Sequence, residues 1–133
     1  MDMSGSFFTS MPMAIAAGGA IGAVSRHYLG SFIMRFSQGG FPLGTLLVNG
    51  LGAFLMGLLV ELLALKFSLS PSLRGFLLVG LLGGFTTFST YSLEMALLIE
   101  RHQMLQAGLY AVLSFGLTLA GVFAGLYAGR FLA

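Results

Sequence analysis

Four apolar runs, each long enough to cross a bilayer, account for most of this 133-residue sequence. A transmembrane helix needs about 20 predominantly apolar residues, and such windows fall near residues 13–34, 44–65, 75–99 and 103–131. Only 8% of the residues are charged, against about 25% in soluble domains, so the chain cannot cover an ordinary water-facing surface. We therefore predict an all-α integral membrane protein, in which residues 1–133 form a single domain of four transmembrane helices.

The composition also limits the classes of function. The chain has no cysteine, so disulfides and thiolate metal sites are excluded. Its net charge of +2 includes no basic cluster, so nucleic-acid binding has no support, and no nucleophile–base set suggests an enzyme. The start, "MDMSGSFFTSMPM", lacks the basic region of a cleavable signal peptide. We expect residues 1–10 to be a short polar lead-in, with more than one methionine as a candidate start.

The connecting segments give almost no signal for membrane orientation, which normally follows the distribution of Lys and Arg. One side would hold Lys66, Arg74 and Arg130, and the other would hold Arg35 and Arg101. This balance leaves two interpretations equally open. The chain either inserts in one orientation set by a weak signal, or inserts both ways and pairs with an inverted copy of itself.

Glycines recur at the spacing that brings membrane helices close together. Gly18 and Gly22 lie four residues apart, and Gly121, Gly125 and Gly129 repeat that spacing in the last run. Such faces let helix backbones approach closely where lipid supplies no hydrophobic drive. We predict a tightly packed oligomer from this pattern.

The stretch "GGFTTFSTYS" interrupts the third run with glycines and hydroxyl residues. We predict a helix break at Gly83-Gly84, with Thr86 or Thr87 capping the half-helix that follows. Broken backbone survives at membrane depth only when it is buried in protein or lines a cavity. Freed carbonyl oxygens suit a hard cation, whereas the N-terminus of the new half-helix favours an anion.

Phe88 and Tyr91 lie one turn apart on that half-helix. Aromatic ring edges carry partial positive charge, so both rings can face an anion. The alternative is that both are ordinary packing residues. The hydroxyl-rich surroundings favour the first interpretation.

Several polar residues inside the runs need a reason, because burying them in a membrane is costly. Asn49 is either an interhelical hydrogen-bond partner or a donor that lines a polar path. Tyr110, Ser114 and Thr118 recur every fourth residue and predict one stripe of hydroxyls, about 12 Å long. Each Ser or Thr taken alone more often bonds back to its own helix, but three in register favour a lined path.

Two charged residues lie deep in the runs. Arg26 either pairs with a carboxylate, snorkels to an interface or sets a positive potential for an anion. Glu94 is a candidate proton relay, a partner of Arg26 or a cap for a hydrogen-bond network. His27, beside Arg26, is more simply explained as an interfacial or packing residue.

Taken together, these residues closely resemble the Fluc (CrcB) family of fluoride channels. The resemblance covers all four runs through "GGAIGAVSR", "GTLLVN", "GGFTTFSTYSLE" and the spacing of Tyr110, Ser114 and Thr118. It implies a dual-topology, antiparallel homodimer with two pores and broken third helices that cross at the dimer centre. It also implies a structural Na⁺ held by the backbone carbonyls of Gly83 and Thr86.

By motif position, the resemblance makes Phe88, Tyr91 and Asn49 ion-facing groups and Arg26 an electrostatic one. The hydroxyl residues Thr87 and Ser89 join them in the predicted pathway. The family usually has Phe where this chain has Tyr91, a change that keeps a ring edge and adds a hydroxyl.

We therefore expect passive, selective export of F⁻ across a prokaryotic plasma (inner) membrane by a multi-pass channel. Its partners would be fluoride, the lipid bilayer and an inverted copy of itself. Three alternatives stay open: a proton-coupled fluoride or halide transporter using Glu94, a small multidrug-type exporter, and a structural membrane subunit. The exporter would need a carboxylate in the first run, which carries Arg26 and no acid.

Overall fold

The structure, a computed structural model, describes residues 11–133, so the predicted lead-in at residues 1–10 lies outside it. The described residues are helical or in turns and loops, and no strand occurs among them. The helices are α1 (Met11–Met34), α2 (Leu43–Leu65), α3 (Pro71–Arg74), a π-helical stretch (Gly75–Leu82), α4 (Gly83–Phe85), α5 (Ser89–Glu100) and α6 (Met104–Leu132). The elements from α3 to α5 together form one bent third segment, Pro71–Glu100.

Every helical segment begins and ends within four residues of a predicted apolar run. Three of the described segments are long and apolar enough to cross a membrane, namely α2, the third segment and α6. Helix α1 is also long, at 24 residues, but Arg26, His27 and its glycines lower its mean hydropathy, and it is not among the three. The fold is thus an all-helical membrane protein with three membrane-capable segments.

The four segments alternate in direction, so α2 and α6 run parallel and α1 runs parallel to the third segment. Along the first pair, Gly121 lies against Gly50, and Gly125 against the carbonyl of Phe54. Along the second pair, a Cβ added to Gly18 would lie 2.8 Å from the Leu81 nitrogen. These glycines therefore serve packing within one chain, and the oligomer predicted from them stays a prediction.

The break in the third segment lies at Thr86, Thr87 and Phe88, not at the glycine pair. Gly83 has helical angles of φ −63° and ψ −37°, whereas Thr86 is extended at φ −91° and ψ 155°. The prediction of a break at Gly83-Gly84 was wrong because Gly84 has another role. A Cβ on Gly84 would lie 2.7 Å from the Gly19 carbonyl oxygen, so this glycine lets α1 approach the third segment.

A buried apolar cluster lies where the start of α2, the end of α5 and the start of α6 meet. Its members are Leu46, Leu98, Ala107 and Tyr110, with Phe41 and Met95 packed against them. This cluster holds α5 against α6. The first half of the third segment instead packs mainly against α1, so the break separates two differently supported halves.

Candidate functional site

The site is built around the broken backbone between α4 and α5. The Asn49 side chain on α2 binds both polar groups of Thr87: its Nδ2 donates to the Thr87 carbonyl at 2.9 Å, and its Oδ1 accepts from the Thr87 N–H at 2.8 Å. Asn49 therefore replaces helical hydrogen bonds with side-chain ones and fixes the position of the break.

Two further side chains bind backbone groups released by the break. The Nε of Arg26 donates to the Gly84 carbonyl at 3.2 Å. The hydroxyl of Thr87 accepts from the Thr90 N–H at 3.1 Å, so Thr87 is the residue that caps the second half-helix. Arg26, which lies on α1, thus stabilises the end of the first half-helix by binding the Gly84 carbonyl oxygen.

These bonds release two carbonyls. In a continuous helix the N–H of Thr87 would bind the Gly83 carbonyl, and the N–H of Thr90 would bind the Thr86 carbonyl. Here both N–H groups donate to side chains instead. Gly83 and Thr86, the residues predicted to offer backbone oxygens, are therefore among the residues whose usual helical donors bind elsewhere.

A cavity of about 190 Å³ adjoins the break between α2, α5 and α6. It brings together five of the predicted pathway residues with two others, and its lining consists of Asn49, Phe88, Tyr91, Ala111, Ser114, Phe115 and Thr118. A second cavity of about 310 Å³ shares Asn49, Phe88 and Thr118 with the first and reaches Thr86 and Thr87. The two form one groove that passes the break.

The hydroxyls on α6 differ in their hydrogen bonding. Thr118 Oγ1 donates to the Ser114 carbonyl at 2.7 Å, which is the back-bonding that Thr commonly shows in helices. Ser114 Oγ is buried and has no hydrogen-bond partner in the described part of the chain. A buried hydroxyl without a partner is costly, so Ser114 offers a donor to whatever enters the cavity.

Tyr110 does not belong to the cavity lining, which corrects the predicted three-residue stripe. It is fully buried, and its hydroxyl donates to Glu94 Oε1 at 3.4 Å. Successive fourth residues turn by about 40°, and a helical side chain leans toward the helix N-terminus. Both effects carry the Tyr110 hydroxyl away from Ser114 and Thr118 and toward α5.

The two aromatic residues after the break lie in contact but differ in exposure. The ring centroids of Phe88 and Tyr91 are 5.4 Å apart, and the planes are tilted by 38°. Tyr91 also contacts Tyr110, with centroids 4.9 Å apart. Phe88 is 77% exposed in the single chain, so it is not a core residue of the protomer.

Arg26 and Glu94 line a separate polar cavity of about 210 Å³ between α1, α2 and α5. Other polar residues around it are His27, Ser31, Thr45, Thr87 and Thr90. No ion pair joins Arg26 to Glu94 among residues 11–133, where the one such pair is Arg130 with Glu61. Of the roles considered for Glu94, the structure shows the one within a hydrogen-bond network, because Glu94 accepts a hydrogen bond from the Tyr110 hydroxyl.

Two more placements complete the site. Thr87 lines both the 210 Å³ and the 310 Å³ cavities, whereas Ser89 is exposed with its Oγ 3.3 Å from Thr87 Oγ1. The sequence reasoning missed Thr45 and Thr90. Thr45 lies four residues before Asn49 and Thr90 three after Thr87, so helical spacing from the chosen residues would have found both.

These features define a class: a small multi-pass membrane protein in which a broken helix, hydroxyls and aromatic rings surround a groove. The family described as CrcB-like protein, Camphor Resistance (CrcB), matches residues 13–126. The chain belongs to this family, and the resemblance noted in the sequence is confirmed.

Curated relatives cover nearly the whole chain. A protein of Rhizobium leguminosarum bv. trifolii named fluoride-specific ion channel FluC is 46% identical over 121 residues, 91% of this chain and 97% of its own length. Proteins with the same name from Rhizobium johnstonii and Agrobacterium fabrum are each 48% identical, over 90% and 87% of this chain and 95% and 93% of their own lengths. They are named as channels rather than as enzymes, in agreement with the expectation from the sequence.

Proposed function

We propose that this chain is a fluoride-selective ion channel that passively exports F⁻ across the plasma (inner) membrane of a prokaryote. The curated relatives carry the name of such a channel. In the proposed protein all four helical segments span the membrane, including α1, whose 24 residues are long enough to cross a bilayer.

The observation that carries the proposal is the unpaired Ser114 hydroxyl in the 190 Å³ cavity. A permeating anion must exchange its water for protein donors that hold it weakly enough to release it. Ser114 supplies an O–H donor there, and Phe88, Tyr91 and Phe115 supply ring edges with partial positive charge. Since no cationic side chain lines this cavity, no fixed charge traps the anion.

The proposed assembly is an antiparallel, dual-topology homodimer. Phe88 and Gly83 are exposed on the chain, although they lie beside broken backbone in the middle of a membrane-capable segment. Lipid cannot satisfy such backbone groups, so another protein surface must cover this face. An inverted copy is a suitable partner, because the Lys and Arg residues at the two ends of the segments, three against two, favour neither orientation.

The proposed dimer holds a structural Na⁺ at its centre, through the carbonyls of Gly83 and Thr86. Both carbonyls have lost their usual helical donors, and backbone oxygens are suitable ligands for a hard cation. The ion would fix the two broken helices against each other and would not be transported.

Fluoride efflux from liposomes that contain only this protein tests the proposed function, with chloride efflux as the comparison. We expect rapid, selective F⁻ efflux that falls at least tenfold in Ser114→Ala and is unchanged in Ser25→Ala, an exposed serine of α1. Absence of flux from the parent protein would favour a structural subunit.

The same liposomes separate a channel from a proton-coupled transporter. Glu94 is the acidic residue at the site, and a coupled mechanism would make F⁻ movement follow an imposed pH gradient. We expect flux to follow the fluoride gradient alone. A tag on the C-terminus tests dual topology separately, because it should be reachable from both faces of the membrane in cells.

A further inference from the structure

A pocket of about 280 Å³ lies at the connection between α2 and α3, well away from the groove. Residues 63–69 and Arg74 line it, so two cationic side chains, Lys66 and Arg74, face one space together with Ser68. Among residues 11–133, no acidic residue lines it. This α2–α3 pocket is therefore a local concentration of positive charge.

The hydrogen bonds around the pocket leave most of this charge available. Glu61, the acid at this end of α2, is paired with Arg130 at 3.3 Å. Lys66 Nζ makes one weak hydrogen bond, to the Leu132 carbonyl at 3.4 Å, and lies 5.6 Å from the centre of the Phe67 ring. The Arg74 guanidinium makes no hydrogen bond or ion pair with the described residues, although it carries five donors that suit phosphate oxygens.

Exposed apolar side chains flank the same pocket. Leu65, Phe67 and Leu73 are 57%, 49% and 44% exposed, and they lie where two membrane-capable segments end and begin. Cations beside exposed apolar surface at a membrane boundary match a ligand with an anionic head and an acyl tail. A free anion would use only the charges.

We propose that the α2–α3 pocket binds the phosphate of an anionic phospholipid headgroup through Lys66 and Arg74. The acyl chains would lie along Leu65, Phe67 and Leu73. This lipid site goes beyond the proposed channel function and does not depend on it. In an inverted dimer each leaflet would contain one such pocket.

The absence of tryptophan from the chain allows a direct test. In Phe67→Trp the only tryptophan reports from the pocket, and brominated phosphatidylglycerol or brominated phosphatidylcholine quenches it on contact. We expect selective quenching by the anionic lipid, with a preference of roughly fivefold for each contributing cation. Phe36→Trp, an exposed position at the other end of the bundle, is the control, and because it lies beside the single cation Arg35 it should show a smaller preference than position 67.

Charge variants made in the Phe67→Trp background separate specific binding from surface attraction. Lys66→Gln with Arg74→Gln should abolish the preference, and Lys66→Arg with Arg74→Lys should keep it. Equal preference at positions 36 and 67, or no preference at 67, would overturn the proposal. Loss of the preference when inorganic phosphate is added at constant ionic strength would also overturn it, because the pocket would then bind free phosphate rather than lipid.

Discussion

Asn49 binds both backbone polar groups of Thr87: its amide nitrogen donates to the Thr87 carbonyl, and its amide oxygen accepts from the Thr87 N–H. The same side chain lines the 190 Å³ and 310 Å³ cavities. Asn49 therefore combines the two roles that the sequence left as alternatives. It is an interhelical hydrogen-bond partner, and it is also part of the groove wall.

Asn49→Ala should destabilise the fold and lower fluoride flux. The substitution leaves the N–H and carbonyl of Thr87 without partners, at a cost of about 1–3 kcal/mol for each buried group. Thermal unfolding in detergent measures the first effect, and liposome efflux measures the second. Asn49→Asp should lose flux as well, because its second carboxylate oxygen faces the Thr87 carbonyl. Parent-like flux and stability in both variants would show that the two Asn49–Thr87 hydrogen bonds are dispensable.

Phe88→Ile should strongly reduce fluoride flux while the dimer still assembles. Isoleucine keeps an apolar side chain but removes the ring quadrupole, so packing and electrostatics are separated. Efflux from liposomes and the mass of the purified assembly are the two measurements. Tyr91→Phe is the control, with near-parent flux expected because it retains the ring edge. If Phe88→Ile conducts like the parent, its ring does not act through electrostatics.

Gly52→Ala should displace the break. A Cβ on Gly52 would collide with the methyl group of Thr86, and overpacking of this kind costs about 1–3 kcal/mol. Gly116→Ala is the matched control, since a Cβ there meets no atom within 4 Å and alanine is the better helix former. We expect lower thermal stability and flux for position 52 only. Equal behaviour of the two variants would mean that α2 and the break can move apart freely.

Gly83→Leu should leave the protomer folded and prevent assembly of the dimer. Gly83 is exposed, and a Cβ there meets no atom closer than 3.8 Å in the single chain, so we expect the clash to come from a partner. Helix content by circular dichroism and the assembly mass distinguish these effects. Thr86→Ser should be mild, because the proposed Na⁺ ligands are backbone oxygens. A dimeric, conducting Gly83→Leu would place this residue away from the partner. Full flux of the parent with every alkali cation removed would contradict the proposed Na⁺ site.

The sequence predicted the helical segments closely, because apolar length and Gly/Pro punctuation are local signals. It misplaced the break because Gly83 and Gly84 look like helix breakers until the position of Gly19 on α1 is known. Glycine in a membrane helix also permits close approach, and only the neighbouring helix decides between the two roles. The separation of Tyr110 from Ser114 likewise depends on Glu94, a contact between helices that spacing along α6 cannot reveal.

The two halves of the third segment are fastened to different neighbours, the first to α1 through Gly80 and Gly84, and the second to α6 through the cluster around Tyr110. Sliding of α1 relative to α6 would therefore act on the three non-helical residues between the two halves. Strain from a bilayer of mismatched thickness would act on Thr86–Phe88, where Asn49 binds the backbone of Thr87. A change in bilayer thickness would therefore alter the groove through the break that adjoins it.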